Sequence, residues 1–260
     1  MKLFRSVLHE ALEKSGKVLK KNFGHVTIHY KGRANLVTKA DLESQETILN
    51  IITKNLPGHD YRAEEAAVRT TGSDYTWIID PLDGTTNYAH NYPAFCISIG
   101  LLHKGKPLLA GVYDPSRNEL FTAEAKQGAH LNGKKIHVSK TKKLNESLLV
   151  TGFAYDRAER SKFYVEYFRR FMIQCHDVRR SGTAALDLAW IASGRVDGFW
   201  EFGLAPWDVA AGRLLVEEAG GTVTDFKGKP WTGLETYGRQ TLATNGPVHK
   251  EMLGVLKHHG

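Results

Sequence analysis

Short apolar segments follow one another between Trp77 and Thr122, and a turn signal separates each from the next. The segments read TWIID, FCISIGLLH, PLLAGVYD and ELFTA, and the turn signals are Asp83-Gly84, Lys104-Gly105 and the stretch from Pro115 to Asn118. Strand-like segments joined by such turns pair with their neighbours in opposite directions. The pattern predicts an antiparallel sheet in the first part of the chain.

Beyond Val150 the pattern changes to helical stretches that alternate with short apolar strands. The helical stretches are SKFYVEYFRRFMI, AALDLAWIASG and WDVAAGRLLVEEAGG, and the strands are VDGFWE, GTVTDF and TLATN. This alternation predicts α/β layering. Helical spacing of apolar residues also predicts a first helix from Leu3 to Leu19 and a second one after Asp41. No linker divides the chain, so we expect one unit over residues 1–260, with two packed lobes at about 1–150 and 151–260.

Composition excludes several classes of protein. The chain has 260 residues, of which 42% are hydrophobic and 24% charged, which is typical of a globular protein. It contains no apolar run of the ~18 residues that a membrane span needs, and its charged N-terminus is unlike a signal peptide, so we expect a cytoplasmic protein without membrane contact. Cys96 and Cys175 lack the spacing of a disulfide framework or a zinc site.

The net charge of +7 and the pI of about 9.3 raise the question of nucleic-acid binding. The lysines and arginines are scattered in small groups among polar residues, and no aromatic-basic RNA motif accompanies them. We therefore do not expect nucleic acid to be the principal ligand. A positive field suits a small anionic substrate equally well.

An acidic motif, Asp80-Pro81-Leu82-Asp83-Gly84-Thr85-Thr86-Asn87, follows the apolar run Trp77-Ile78-Ile79. Its Asp, Pro and Gly residues are typical of a turn, but two carboxylates three residues apart are also candidate metal ligands. Other acidic candidates are Asp41, the pair Glu64-Glu65 and Asp208. Taken singly, Asp41 and Asp208 are equally explained as helix caps, and Glu64-Glu65 as an exposed pair.

The residues after the two aspartates favour the metal interpretation. Gly84 permits close approach of the backbone to an anion, and Thr85 and Thr86 are placed to begin a helix, whose free N–H groups bind phosphate. Hard cations such as Mg²⁺ prefer oxygen ligands, and phosphoryl transfer uses them to balance negative charge. The motif therefore predicts a phosphoryl-transfer site.

Two long motifs resemble the signatures of the inositol monophosphatase family. The first is WIIDPLDGTTNYAH and the second is APWDVAAGRLLVEEAGG, and the similarity runs from the first helix to about Asn245. The chain departs from the usual family pattern at Ala66 and at Asn35, neither of which is a primary ligand position. The resemblance implies an α/β (α+β) fold, a layered αβαβα sandwich of the inositol monophosphatase and fructose bisphosphatase type.

The resemblance also implies roles for particular residues. It implies that two or three Mg²⁺ ions are bound by Glu64, Asp80, the carbonyl of Leu82, Asp83 and Asp208. It assigns water activation to Thr85 and Asp41, with Glu64 as a further catalytic residue. Substrate contacts fall on Asp83, Gly84, Thr85, Gly182, Thr183, Ala184, Glu201 and Asp208. Lys31, in the segment YKGRANLVTKAD, is a candidate to close over a further metal ion or the phosphate.

The activity implied by the resemblance is Mg²⁺-dependent hydrolysis of inositol 1-phosphate, or another myo-inositol monophosphate, to inositol and phosphate by a metal-activated water. The family also implies a homodimer and sensitivity to lithium. Glu201 favours a polyol substrate, because a carboxylate accepts hydrogen bonds from vicinal hydroxyls. The alternatives are a fructose 1,6-bisphosphatase, a histidinol phosphatase, a 3'-phosphoadenosine phosphatase, or an added regulatory role that binds RNA or a protein.

Overall fold

The larger of two sheets contains the antiparallel strands that the sequence predicts. A computed structural model describes residues 1–25, 28–30 and 36–257, so Lys31 and Asn35 lie outside the described residues. The strands of this sheet, in spatial order, are β3 (Asp60–Ala63), β4 (Tyr75–Asp83), β5 (Cys96–His103), β6 (Lys106–Asp114), β7 (Glu119–Glu124), β8 (Gly128–Leu131) and β9 (Lys134–Ile136). β3 runs parallel to β4, and every other neighbouring pair is antiparallel.

The smaller sheet comes from the second part of the chain. Its strands, in spatial order, are β11 (Asp177–Arg179), β10 (Leu148–Thr151), β12 (Gly198–Phe202), β14 (Gln240–Thr244) and β13 (Thr222–Thr224). β10 pairs in parallel with both β11 and β12, whereas β14 runs antiparallel to β12 and to β13. A separate two-stranded ribbon joins β1 (Ile28–Tyr30) to β2 (Leu36–Thr38).

Helices cover both sheets. They are α1 (Lys2–Asn22), α2 (Lys39–Asn55), α3 (Thr85–Ala89), α4 (Ser161–Met172), α5 (Ala184–Ala192), α6 (Pro206–Glu218) and α7 (His249–Lys257). Helices α1 and α2 pack on one face of the larger sheet, α5 and α6 lie between the two sheets, and α4 and α7 cover the outer face of the smaller sheet. The layers therefore alternate as an αβαβα sandwich, which confirms the predicted fold class.

The core follows this layering. One apolar cluster, with Trp77 and Ile79 at its centre, lies between the larger sheet and helices α1 and α2. A second cluster surrounds α5 and α6, and a third lies beneath α4 and α7. Helix α5 is apolar on nearly all sides because it contacts a sheet on each face. The middle layer therefore joins the two sheets through one continuous apolar contact.

Some sequence-based boundaries differ from the structure. Helix α2 begins at Lys39 rather than after Asp41, because Thr38 caps it and Asp41 lies in its first turn. Strands β3, β8 and β9 were not expected, since segments of three or four residues are too short to show periodicity. The division into two lobes near residue 150 stays a prediction. Among the described helices, none is both long and apolar enough to cross a membrane, and cytoplasmic location stays a prediction.

Candidate active site

A cavity of about 440 Å³ lies where the two sheets and the middle helices meet. Eleven of the twelve predicted site residues line it: Glu64, Asp80, Leu82, Asp83, Gly84, Thr85, Gly182, Thr183, Ala184, Glu201 and Asp208. Asp41 is the exception, because it is fully buried behind Thr85. Residues distant in the sequence are thus brought to one site.

A bulge in β4 brings Asp80 and Asp83 to the same wall of the cavity. Side chains along a regular strand alternate between its faces, so residues three apart point in opposite directions. Asp80 pairs with Ser98 and Asp83 pairs with Cys96, so β4 has one more residue than β5 between these pairs. The extra residue restores the common direction. Ser44 of α2 donates a hydrogen bond of 2.7 Å to the Pro81 carbonyl within this bulge.

Gly84 makes the change from β4 to α3 sterically possible. Its φ is +89°, a left-handed conformation in which side chains are strained, and it caps the N-terminus of α3. A Cβ atom at this position would lie 2.9 Å from the carbonyl oxygen of Ala94. The chain therefore turns sharply enough for Asp83 and Thr85 to line the same cavity.

Asp83 ties the larger sheet to the middle helix layer. Its Oδ2 accepts hydrogen bonds from Thr183 Oγ1 at 2.6 Å and from the backbone N–H of Ala185 at 2.7 Å. Thr183 is also the N-cap of α5. The Thr183 hydroxyl, expected at the substrate, is therefore engaged with Asp83.

Thr85 and Asp41 form a hydrogen-bonded pair. Thr85 Oγ1 lies 3.0 Å from Asp41 Oδ1 and 3.0 Å from the Leu82 carbonyl oxygen. The other oxygen of Asp41 accepts hydrogen bonds from the N–H and the hydroxyl of Thr38. Burial raises the pKa of Asp41 to about 6, against the opposing effect of these hydrogen bonds. Asp41 is thus both a helix-capping residue and the partner of a hydroxyl that reaches the cavity.

Asp208 occupies the equivalent place in α6. It is the third residue of the helix, and its Oδ2 accepts a hydrogen bond of 2.7 Å from the backbone N–H of Ala205. Unlike Asp41, Asp208 itself lines the cavity. Asp41 and Asp208 can therefore both cap a helix and also belong to the site.

The cavity has an acidic wall, formed by Glu64, Asp80, Asp83 and Asp208. Burial raises the pKa of Asp80 well above its usual value, and the charges of the other three acids raise it further. Burial, Asp83 and Glu64 raise the pKa of Asp208 in the same way. These carboxylates repel one another, which is the electrostatic condition under which a bound cation is most favourable.

A second part of the cavity, the mixed-charge wall, is formed by Gly152, Arg180, Asp187 and Glu201. Burial raises the pKa of Glu201 to about 8, and Arg180 opposes that shift. Asp187 is only 1% exposed and accepts a hydrogen bond of 2.5 Å from Ser181 Oγ. Carboxyl groups and a guanidinium group therefore face the same space.

Sequence reasoning identified only Glu201 in this second wall. Asp187 had a usable signal, since a lone carboxylate inside the apolar helix AALDLAWIA is rarely buried without a reason. Arg180 directly precedes the predicted contacts that begin at Gly182, which was a weaker signal. Nothing in the sequence distinguished Gly152 from other glycines.

The chemistry of the acidic wall fits a hard divalent cation such as Mg²⁺. Within the described ranges, no three His, Cys, Asp or Glu side chains come close enough together to enclose a metal ion. All the donors that line this wall are nevertheless oxygen atoms, which Mg²⁺ prefers, and their repulsion is relieved by positive charge. Of the two cysteines, Cys96 is buried and Cys175 partly exposed, and neither forms a disulfide.

Comparison with known proteins agrees with this geometry. Residues 1–257 match the inositol monophosphatase family. The chain belongs to this family. It is therefore a phosphatase, as the sequence motifs predicted.

Individual relatives cover most of the chain. An inositol-1-monophosphatase from Synechocystis is 47% identical over 231 residues, which are 88% of this chain and 79% of the relative. The Nus factor SuhB of Escherichia coli is 45% identical over 222 residues, 84% of this chain and 83% of that protein. The solved structure of an inositol monophosphatase from Anabaena superposes with a TM-score of 0.90 at 44% identity, and the match covers 100% of this chain and 97% of that one.

Proposed function

We propose that the cavity hydrolyses phosphate monoesters of small polyols, with inositol 1-phosphate as the preferred substrate. The observation that carries this proposal is that four carboxylates from separate parts of the chain line the same cavity as Thr85, which is hydrogen-bonded to Asp41. The direct transfer of a phosphoryl group to water needs carboxylates that hold a cation. It also needs a hydroxyl group that can move a proton.

Glu64, Asp80, the Leu82 carbonyl, Asp83 and Asp208 would hold Mg²⁺. The family is in general metal-dependent, which supports a cation at this wall, and two or three ions are the number that the resemblance implies. When bound, Mg²⁺ supplies charge that activates water and stabilises the leaving oxygen. The protein orients its own ligands, because Asp80 Oδ1 accepts the Leu82 N–H at 3.0 Å and Asp83 is held by α5.

Thr85 and Asp41 would move the proton of the attacking water. The Thr85 hydroxyl reaches the cavity, and Asp41 accepts its hydrogen bond at 3.0 Å from a fully buried position. Because Thr38 holds the other carboxylate oxygen of Asp41, the orientation of the pair is fixed before substrate binds. Glu64, which lines the acidic wall, would assist as the further catalytic residue that the resemblance implies.

The phosphate and the polyol would occupy different parts of the cavity. Phosphate contacts fall on Asp83, Gly84 and Thr85 and on the segment Gly182-Thr183-Ala184, which all line the cavity. The polyol would lie against the mixed-charge wall, where Glu201 exchanges hydrogen bonds with hydroxyl groups. A substrate with several hydroxyls satisfies the buried polar groups of that wall, whereas an apolar leaving group leaves them without partners.

A metal-dependent phosphate-release assay across four substrates tests this proposal. The substrates are inositol 1-phosphate, fructose 1,6-bisphosphate, histidinol phosphate and 3'-phosphoadenosine 5'-phosphate. The expected result is that kcat/KM for inositol 1-phosphate exceeds the others by at least ~10-fold, about the net contribution of one hydrogen bond. A higher kcat/KM for any of the other three would replace the substrate assignment, and no release from any of them would overturn the function.

A second, non-enzymatic role is a candidate because relatives at 45% identity are named Nus factor SuhB. The net charge of +7 is compatible with a polyanionic partner. Fluorescence anisotropy of a labelled single-stranded RNA, measured at low and at physiological salt, tests for RNA binding. Affinity that persists at physiological salt supports this role, whereas binding at low salt alone indicates only non-specific attraction.

We also propose a homodimer, which sedimentation of the purified protein tests.

A further inference from the structure

We propose that Gly152 is a specificity-determining position. Because Gly152 has no side chain, the carboxyl group of Glu201 can lie where it contacts the hydroxyl groups of the substrate. This inference rests on the proposed function, in which Glu201 recognises a polyol. Gly152 acts through Glu201 and is therefore a positioning residue. It takes no part in the chemical step.

The pairing of two strands brings Gly152 and Glu201 together. β10 and β12 run in parallel, and Thr151, the last residue of β10, pairs with Trp200. Gly152, which follows β10, therefore lies beside Glu201 of β12 at the edge of the cavity. A Cβ atom on Gly152 would lie less than 3.0 Å from all three of the carboxyl atoms of Glu201, closer than real Cβ atoms approach other heavy atoms. The carboxyl group therefore fills the space that a side chain at 152 would need.

The Glu201 carboxyl group shares its part of the cavity with two other polar side chains. Glu201 is 7% exposed, and Arg180 and Asp187 line the same part of the cavity. The Arg180 guanidinium lies 5.9 Å from the centre of the Phe153 ring, which directly follows Gly152. Gly152 thus leaves room for the Glu201 carboxyl group, and Phe153, the next residue, contacts the Arg180 cation. Displacing Glu201 changes the hydrogen-bonding pattern that faces the substrate.

The fold itself tolerates alanine at this position. The φ of Gly152 does not lie in the left-handed region, so its backbone conformation suits any residue. The atoms that a new methyl group would meet belong to the end of a flexible side chain rather than to backbone. Gly152→Ala is therefore expected to move the Glu201 carboxyl and leave the sheet intact.

Hydrolysis of two matched substrates by the Gly152→Ala enzyme tests the inference. Inositol 1-phosphate carries ring hydroxyls, and cyclohexyl phosphate has the same ring without them. The variant is expected to lose about tenfold in kcat/KM toward inositol 1-phosphate, mainly through KM, and much less toward cyclohexyl phosphate. Gly58→Ala is the control, because a Cβ atom there meets nothing within 4 Å and Gly58 does not line the cavity. Equal losses on both substrates would overturn the inference.

A double-mutant cycle separates an effect through Glu201 from a general effect on the fold. Once Glu201→Ala has removed the carboxyl group, adding Gly152→Ala is expected to change neither kcat/KM nor the unfolding temperature. A further loss in the double variant, or its unfolding, would contradict the inference. The proposed function fails separately, since in that case the unmodified enzyme would release phosphate from neither substrate.

Discussion

The two walls of the cavity differ in how their carboxyl groups are balanced. On the acidic wall, the charges that act on Asp80 are those of other acids, and each of them raises its pKa. On the mixed-charge wall, burial and neighbouring acids raise the pKa values of Glu201 and Asp187, whereas Arg180 lowers them. Arg180 also opposes the pKa shift of Asp83, where the two walls meet. Repulsion between acids therefore acts most strongly at Asp80 and Asp208, whereas an arginine partly balances Glu201 and Asp187.

This difference separates the two tasks that a phosphomonoesterase must perform. An acidic wall whose carboxylates repel one another favours a cation and, through it, the phosphate. A wall that offers both hydrogen-bond donors and acceptors favours an uncharged leaving group that carries hydroxyls. Changes to the acidic wall should therefore abolish turnover, and changes to the mixed-charge wall should alter selectivity.

Asp83→Asn should have the largest effect. It removes a charge from the acidic wall, and we expect a loss of at least ~10³-fold in kcat, as when a preorganised charge is removed from an active site. The fold should survive, since an Asn side-chain oxygen still accepts the hydrogen bonds from Thr183 and Ala185. Asp83→Ala, which cannot accept them, serves as the structural comparison.

Phosphate release at saturating Mg²⁺, together with thermal unfolding, checks this prediction. Asp83→Asn should unfold at the same or a higher temperature than the unmodified protein in the absence of metal, because repulsion among the buried carboxylates decreases. Unmodified turnover in this variant would show that the acidic wall does not perform the reaction.

Thr85→Ala should have the next largest effect, about 10²–10⁴-fold in kcat, because it removes a positioned proton-transfer group. The KM should change little, since the backbone at residue 85 is retained. Thr85→Ser keeps the hydroxyl and should recover most of the rate. If the alanine variant raises KM and leaves kcat unchanged, Thr85 is a binding residue, and the proton moves by another route.

The pH dependence of kcat tests the role of Asp41. Because burial raises its pKa to about 6, Asp41 keeps its proton until about that pH, and only the ionised form can receive the proton of Thr85. At saturating Mg²⁺, kcat should fall about tenfold per pH unit below pH 6. Asp41→Asn should be slow at every pH and should not show this fall in kcat. If kcat of that variant falls with the same midpoint, another group is responsible for the titration.

Lithium should have the smallest effect of the four. Li⁺ is close to Mg²⁺ in size but carries half its charge, so it would stabilise a developing alkoxide less well. We expect uncompetitive or mixed inhibition toward substrate, weakened by roughly threefold or more in Asp208→Asn through a weaker cation site. KCl at the same ionic strength is the control. Simple competition with substrate would show that Li⁺ acts on the free enzyme and would remove Asp208 from this part of the proposal.

The two walls also differ in how far the sequence predicts them. Asp80 and Asp83 stand in one continuous motif, so the sequence alone identifies them, but the bulge that turns both to one side depends on pairing with β5. Gly152 and Glu201 meet only because β10 and β12 pair, and Asp187 reaches the cavity only because α5 lies between the sheets. Contacts of this kind depend on the packing of distant segments, which leaves no local pattern.

The fold shows the same division. Strands β4 to β7 were predicted close to their observed bounds, because alternating apolar residues and turn residues act locally. Strands β8 and β9 are only four and three residues long, and only their place at the edge of an existing sheet explains them. Likewise, apolar spacing predicted a helix after Asp41, but only the resemblance to the family, and no local pattern, paired this carboxylate with Thr85.

Restoration of activity by metal tests the central claim most directly. The purified protein is treated with EDTA, freed of the chelator and assayed for phosphate release from inositol 1-phosphate over a range of Mg²⁺ concentrations. We expect almost no release before Mg²⁺ is added and a saturable recovery afterwards, with no recovery in Asp83→Asn. Phosphate release that is unchanged by EDTA would contradict the account, because the acidic wall would then catalyse the reaction without the cation that its charge requires.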